Sequence, residues 1–404
     1  MVNSAFLLLI CILKIMRFKF FTIILISTLV SCGDRELKKE TFYSDKIISY
    51  TVEELNIPIN SDLNNDYPYS SLYLNGNSVY FIGFNAPNHK LDVFNLNQEK
   101  YEFSIYLETD GPNKVGDPWD FYVHNMDSIF YLDNSSNLHI IDRNARVLNS
   151  INLNKQNSRL AYKASPISFK LHYSQVGRNV YFNSYSIKHL PKKSQYYQEP
   201  IITWINLENE KLNSFPITFP ESYSKDGFFL GETMEPNVTF FSDEIFYSFP
   251  AEHFFYKYDI KNKSTEKYWA ESSNTANEAK LMPADDYQDL NKRIVHRIEN
   301  PYFYPLLKDP YRNLYYRIHF GDIPHKVDDL GTQFNSMTEK PEFLMVFDSE
   351  FKVITEIRLP FNRLSAQSCF VTNEGLFFPN NHYLNPDLSE DYLSFLVYKF
   401  ENNN

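Results

Sequence analysis

A short unit of one polar or turn-forming residue, one aliphatic residue and two aromatic residues recurs six times along this chain. The steps between successive aliphatic residues, from Val79 to Leu376, are 50, 51, 65, 69 and 62 residues. Short apolar runs that are rich in β-branched and aromatic residues and are bounded by turn formers predict buried β-strands. The six units are residues 78–81, 128–131, 179–182, 244–247, 313–316 and 375–378.

A second apolar segment follows each unit, and most of these segments end in Asp or Asn, residues that start turns. Because the chain has only 11 glycines, we expect Asn and Asp to form most of its turns. The second segments are residues 91–96, 138–142, 201–206, 254–259, 343–348 and 395–400. A third segment follows in the first five units, at residues 101–107, 147–153, 212–219, 265–269 and 351–359.

Groups of three or four antiparallel strands that repeat at these steps are typical of propeller blades. One small twisted sheet leaves two apolar faces uncovered, and stacking the sheets around an axis buries both faces. We therefore predict an all-β fold, a six-bladed β-propeller that forms a single domain over residues 46–404. Seven blades or another β-architecture remain alternatives, although the strands of a β-sandwich would not recur as six similar groups.

The sixth unit has only two segments before the sequence ends at Asn404. An outer strand for this blade is available near the other end of the chain, in residues 46–52 or 52–59. We predict that this N-terminal strand pairs with the last blade and closes the ring.

One segment departs from the strand pattern and predicts a short helix inserted between blades four and five. Acidic residues at its start and basic residues further on match the dipole of a helix. This helix could cap the channel or pack against the blades, and the sequence leaves both alternatives open. The apolar residues that share one face at helical spacing are Tyr287, Leu290, Ile294, Val295 and Ile298.

The N-terminal region has the pattern of a bacterial lipoprotein signal peptide. Arg17 and Lys19 precede an apolar run, residues 20–30, which ends just before Ser31 and Cys32. We predict a signal peptide over residues 1–31, with the true start at Met16, and a flexible tether over residues 32–45. A membrane-spanning helix is the alternative, but the apolar run is shorter than the ~20 residues that crossing requires.

Acylation of Cys32 would attach the protein to a membrane, since more than one buried acyl chain gives stable anchoring. We therefore expect a lipid-anchored protein of the bacterial cell envelope, in the outer membrane, with the face it occupies left open. Only Cys369 lies in the folded region, because Cys11 and Cys32 belong to the N-terminal region. An internal disulfide and a metal site of the Cys-x-x-Cys type are therefore excluded there, and we expect no metal and no cofactor. A net charge of −11 without a basic patch disfavours nucleic acid as a partner.

The most distinctive segment is residues 304–317, which reads Tyr-Pro-Leu-Leu-Lys-Asp-Pro-Tyr-Arg-Asn-Leu-Tyr-Tyr-Arg. With this segment in blade five, residues 32–404 resemble the six-bladed β-propeller lipoproteins of Bacteroidota, a domain-of-unknown-function group with a TolB-like propeller architecture. The resemblance implies a fold and a cellular compartment. It supplies no catalytic residue that could be transferred to this sequence.

Five residues are candidates for a ligand site at the channel. Asp117 and Trp119 lie in a polar loop between blades, where Trp119 would stack on a sugar or a peptide, or simply pack. Arg312 and Arg317 suit the recognition of carboxylates, with an ion pair between blades as the alternative. His319 and His325 flank a Gly-Asp pair, but their spacing matches no metal motif and favours solvent-facing loop histidines.

Glycoside hydrolysis would need two carboxylates about 5 to 10 Å apart. The carboxylates at predicted blade ends are better explained as turn formers or caps, and the chain has no Gly-x-Ser-x-Gly and no phosphate-binding glycine loop. The first hypothesis is therefore a binding or protein-interaction module for a glycan, a peptide or an envelope protein, rather than an enzyme. An envelope hydrolase or lyase that acts on a glycan or peptide in the channel is the alternative, and a structural role in a complex is the third. The carboxylates considered are Asp117, Asp120, Asp243, Asp309 and Asp322.

Overall fold

Six small antiparallel sheets are arranged as the blades of a propeller in this computed structural model. The structure describes residues 42–155, 159–225, 227–231, 235–326 and 339–402. The predicted fold is confirmed: apart from one α-helix and a few short 3-10 turns, the regular elements of these residues are strands.

The strands are numbered in chain order, and the first of them, β1 (Ile48–Pro58), belongs to the last blade. Blade 1 contains β2 (Ser70–Asn75), β3 (Ser78–Asn85), β4 (Lys90–Asn95) and β5 (Lys100–Tyr106). Blade 2 contains β6 (Pro118–Asn125), β7 (Ser128–Asp133), β8 (Asn137–Ile141) and β9 (Val147–Asn152). Blade 3 contains β10 (Leu160–Lys163), β11 (His172–Ser174), β12 (Asn179–Ser186), β13 (Ile202–Asn206) and β14 (Leu212–Ser214).

The remaining blades follow the same order, with a small two-stranded sheet beside them. This small sheet pairs β15 (Phe228–Phe229) with β20 (Met282–Pro283). Blade 4 contains β16 (Asn237–Phe241), β17 (Glu244–Ser248), β18 (Phe255–Asp259) and β19 (Ser264–Tyr268). Blade 5 contains β21 (Tyr302–Asp309), β22 (Leu314–Phe320), β23 (Glu342–Phe347) and β24 (Val353–Arg358). Blade 6 contains β25 (Phe370–Val371), β26 (Leu376–Pro379) and β27 (Tyr392–Asn402), with β1 as its outer strand.

The six repeated sequence units are the starts of the second strands, β3, β7, β12, β17, β22 and β26. Their aliphatic residues are all buried because a second strand has a strand on each side and a neighbouring blade against each face. Both faces are therefore apolar, which explains a continuous apolar run in place of alternation. Six buried apolar clusters fill the contacts between neighbouring blades, one cluster for each contact.

The ring closes through the N-terminal strand, as predicted. β1 pairs with β27 in antiparallel register from Ile48 opposite Asn402 to Pro58 opposite Tyr392. This pairing covers both segments that the sequence offered. The two ends of the described chain are thereby held in one blade by backbone hydrogen bonds.

The inserted helix is also confirmed, as α1 (Leu290–Glu299) between blades 4 and 5. Its N-cap is Asp289, whose carboxylate accepts a hydrogen bond of 3.1 Å from the Lys292 amide. The buried ammonium of Lys340 donates to the carbonyl oxygens of Arg297, at 2.8 Å, and Asn300. A cation at the C-terminal end of a helix compensates its dipole, so Lys340 fixes α1 against blade 5.

Asn and Asp start many of the turns, as expected, but through their side chains. At the end of four third strands the side chain of Asn206, Asp259, Asp348 or Asn95 accepts the amide of a residue two to four positions later. The left-handed positions of the turns carry other residues, such as Glu99, Lys263 and Phe351. Asn occupies two of the eleven non-glycine left-handed positions among the described residues, Asn313 and Asn362.

Candidate functional site

The first strands of the blades surround a central cavity of about 370 Å³. Segments of all six blades contribute to its wall, which is mainly aliphatic and aromatic. Ligand pockets typically have volumes of about 300 to 1,000 Å³ and carry a few polar groups in an apolar wall. The lining includes Leu72, Phe121, Tyr122, Ile167, Leu171, Val238, Phe240, Tyr304, Leu307, Phe370 and Val371.

Blade 3 supplies the unusual part of this wall, because its first strand is interrupted. β10 pairs with one end of β12 and β11 pairs with the other end. The residues between them, 164–171, form what we name the channel loop. Pro166 lies in it and lacks the amide hydrogen that a continuing strand requires. Ser165 and Phe169 bridge its base, and the Ser168 carbonyl accepts a hydrogen bond of 2.7 Å from the Val238 amide of blade 4.

The channel loop reaches across the cavity. Ile167 packs against the apolar cluster between blades 5 and 6, on the far side from blade 3. Lys170 is exposed to the space of the cavity, and its ammonium donates to the Ser70 carbonyl of blade 1 at 3.3 Å. The loop therefore places one amine in the middle of the channel.

Two acidic side chains, the carboxyl of Asp120 and the thiol of Cys369, lie near this amine. Asp120 of blade 2 is fully buried, and one of its oxygens accepts the Leu171 amide at 2.7 Å while the other has no hydrogen-bond partner. Burial raises the pKa of Asp120 to about 7, although the Lys170 charge opposes this shift. Burial also lowers the pKa of Lys170, against the attraction of Asp120. Burial raises the pKa of the Cys369 thiol to about 12, so this thiol is protonated and is a poor nucleophile.

Aromatic rings form the adjoining wall. The ring of His172 stacks on Phe240, with ring centroids 4.9 Å apart, and its edge meets Tyr122. Burial lowers the pKa of His172 to about 4, which keeps this imidazole neutral at physiological pH. Thus His172 contributes an aromatic surface without a charge.

A larger cleft of about 750 Å³ lies beside blade 4, but its buried carboxylate and one of its lysines already have partners. Glu252 accepts hydrogen bonds from Ser222, at 3.3 Å, and Tyr256, at 3.1 Å. The Lys267 ammonium lies 3.4 Å from the centre of the Phe254 ring. We therefore take the central cavity, with its exposed amine, as the candidate site.

The five ligand residues proposed from the sequence lie outside the wall of the cavity. Asp117 is exposed on the loop between blades 1 and 2, where it lies 3.5 Å from His89. Trp119 packs against the cluster between blades 2 and 3. Arg312 donates to Asp309 at 3.0 Å and to the carbonyl oxygens of residues 372 and 373, which ties blade 5 to blade 6.

Arg317 and His319 are both fully buried in β22. Arg317 lies 4.7 Å from the centre of the Phe303 ring and donates to carbonyl oxygens of blade 4 and of residue 304. His319 stacks between Phe303 and Phe343 and donates to Glu356 at 2.6 Å. The expectation of a solvent-facing loop histidine was wrong for His319, because its strand is sandwiched between two others.

No carboxylate belongs to the described lining of the cavity, so the pair that a glycoside hydrolase needs is not formed there. Asp309 accepts two backbone amides of its own turn at 3.0 Å. Asp322 accepts from the Thr275 hydroxyl and the Ala276 amide, so it links two distant segments of the chain. The His89–Asp117 contact is a histidine–carboxylate pair, but the other imidazole nitrogen of His89 already contacts a backbone carbonyl at 3.2 Å.

The described residues were also compared with the requirements of a metal site and of a membrane-spanning helix, and they meet neither. These residues contain no group of three or more His, Cys, Asp or Glu side chains that could hold a metal ion. Within the same ranges, no helix combines the length and hydropathy needed to cross a bilayer. Cys32 and the proposed signal lie outside the residues that the structure describes.

Comparison with known proteins identifies the family of this chain. The model of a domain of unknown function, DUF4221, matches residues 42–358. This chain belongs to the DUF4221 family. The match covers blades 1 to 5 and confirms the resemblance that the sequence suggested.

Two solved structures support the DUF4221 fold. A member of the family from Bacteroides vulgatus superposes with a TM-score of 0.76 at 18% identity, covering 89% of this chain and 100% of its own. The "Putative exported protein" of Bacteroides fragilis superposes with a TM-score of 0.56 at 10% identity, covering 89% and 98%. At such identities the likeness concerns the fold alone. No curated protein matches this DUF4221 chain.

Lys170 and the channel loop were missed by sequence reasoning. The one indication in the sequence was Pro166, which lies where the first strand of blade 3 is expected and predicts that this strand is interrupted. That the interrupted segment turns toward the channel, and not toward solvent, depends on its contacts with blades 4, 5 and 6.

Proposed function

We propose that this protein is a lipid-anchored binding module of the bacterial cell envelope, whose ligand occupies the central cavity. The observation that carries the proposal is the channel loop, which crosses the cavity and holds an amine exposed in a mainly apolar and aromatic space. A wall built only for packing would bring apolar side chains together and would not present an ammonium group to an open space.

The anchor in this proposal is Cys32, through which acyl chains would hold the protein to the membrane. The basic residues, apolar run and small residues that precede Cys32 support it. The outer membrane is the proposed location. Glycans, peptides and envelope proteins remain the proposed partners, and the net charge of −11 argues against nucleic acid.

A variant with a filled cavity tests the binding role. Gln367 lines the cavity, and substitution Gln367→Trp would place a large ring there. Both proteins are purified from the cells that naturally produce them, denatured, and analysed for released small molecules by mass spectrometry. We expect a molecule that the native protein releases and the variant releases in much smaller amount.

The variant must keep the melting temperature of the native protein to within a few degrees for this comparison. Identical released molecules from both proteins, or none from the native protein, would contradict a ligand in the cavity.

A further inference from the structure

We infer that the ligand of the central cavity is a small organic acid, with its carboxylate bound by Lys170 and its apolar body against the aromatic wall. This inference rests on the proposed binding function and specifies the chemistry of the ligand. Three observations support it: the charge of the cavity lining, the incomplete hydrogen bonding of the Lys170 ammonium, and the volume of the cavity.

The charge of the cavity is opposite to that of the whole chain. The net charge of the chain is −11, yet the described lining carries two lysines, Lys170 and Lys308, and no carboxylate. The Lys308 ammonium lies 5.6 Å from the Phe241 ring centre and 5.8 Å from that of Tyr315, so aromatic rings already hold it. Lys170 lies on the channel loop that crosses the cavity, so we take it as the cation that meets the ligand.

The ammonium of Lys170 has three donors, and the structure gives it one hydrogen bond, at 3.3 Å, to the Ser70 carbonyl. Among the described residues, no carboxylate lies within ion-pair distance of it. Asp120 acts from further away, and burial opposes the ionisation of both groups. A carboxylate placed beside Lys170 would supply the missing acceptors and stabilise its charge.

The space around Lys170 sets the size and character of the rest of the ligand. A cavity of about 370 Å³ is at the small end of the usual range for small-molecule sites. Its wall includes Phe121, Phe240 and Phe370, and the neutral ring of His172 adjoins them. One amine on the channel loop, beside a mainly apolar wall, matches a singly charged acid with an aromatic or aliphatic body.

The probes for the test are 4-phenylbutyrate and its neutral amide, 4-phenylbutyramide, which differ only at the charged group. Their binding to the full-length chain in detergent is measured by isothermal titration calorimetry. We expect the acid to bind more tightly than the amide. Substitution Lys170→Met should weaken binding of the acid about tenfold or more, because a charge-assisted hydrogen bond is lost.

Two further variants serve as controls. Lys170→Arg keeps the charge and should retain most of the affinity for the acid. Lys308→Met removes the other lining lysine and should change that affinity little. Melting temperatures of all variants confirm that each is folded before binding is compared.

Equal binding of the acid and the amide to the native chain overturns the inference. It is also overturned if the acid binds Lys170→Met as tightly as it binds the native chain, or if the acid binds neither protein. A neutral molecule released from the native protein, and lost in Gln367→Trp, would uphold the binding function while overturning the organic acid. The two proposals can therefore fail separately.

Discussion

Asp120 shows, at the scale of a single residue, how the channel loop alters the chemistry of a strand residue. The loop covers this carboxyl and supplies one backbone amide to it, but leaves its second oxygen without a partner. Burial without a full set of hydrogen bonds favours the neutral acid. The pKa of Asp120 is accordingly raised from 3.8 to about 7.

This shift predicts how stability depends on pH. The folded-state pKa lies above the unfolded value, so the stabilising contribution of the neutral acid is complete at low pH and is lost as pH rises through about 7. Substitution Asp120→Asn keeps an acceptor for the Leu171 amide and removes the titration. The unfolding free energy of the Asn variant minus that of the native protein should therefore increase by on the order of 2 kcal/mol between pH 5 and pH 8.

Thermal or urea unfolding of both proteins at the two pH values measures this difference. Lys170 is the charged group that faces Asp120, so Lys170→Met, compared with the double variant, separates its effect. A difference between Asp and Asn that stays constant from pH 5 to pH 8 would show that Asp120 titrates normally.

Residue-level prediction from the sequence worked where a role is local. Asp309 was interpreted as a turn former, and it accepts amides two and three residues ahead of it. Arg317 lies on the same face of its strand as Tyr315, and that face packs against blade 4 instead of lining the channel. Only the first strand of a blade faces the axis, and no local pattern marks a residue as belonging to it.

At the scale of elements, β1 is the strand on which closure depends. Its eleven residues pair along their whole length with β27. Strands that complete a ring of blades remove an open seam between the first and last sheets. Deletion of residues 46–59 should therefore lower the melting temperature of the entire propeller, instead of loosening blade 6 alone.

A complementation experiment provides the control for this deletion. A synthetic peptide with the sequence of residues 46–59, added to the deleted protein, should restore part of the lost stability because it can pair with β27. An unchanged melting temperature after the deletion, measured by circular dichroism, would contradict closure by β1.

The second and third strands were predictable because both of their faces are buried, which produces dense apolar runs. The first strands were not located from the sequence. β25 has two residues and β10 has four, and the latter stops before Pro166. Strands as short as these two carry too few residues for a periodic pattern to stand out. The outer strand of blade 3, β14, also ends at Ser214, earlier than the apolar residues after it suggested.

At the scale of the whole molecule, the proposed acylation of Cys32 would determine where the propeller works. We predict that Cys32→Ala abolishes labelling of the protein with radioactive palmitate, since the thiol of Cys32 is the proposed acylation site. The matched control is Cys369→Ala, which removes the other cysteine after the predicted signal and should leave labelling intact. Continued labelling of the Cys32 variant would refute the anchor.

The amino-acid sequence alone determined the number of blades, the strand that closes the ring and the inserted helix. These features depend on the burial of short continuous segments. Such burial requires runs of apolar residues bounded by turn formers, and these runs can be recognised in the sequence. The tertiary structure alone decided what the channel contains. Lys170, Asp120 and Ser70 come from three different blades, and a break in one strand brings them together. Such a site depends on contacts between segments that are far apart in the sequence. No regular spacing of residues in the sequence indicates these contacts.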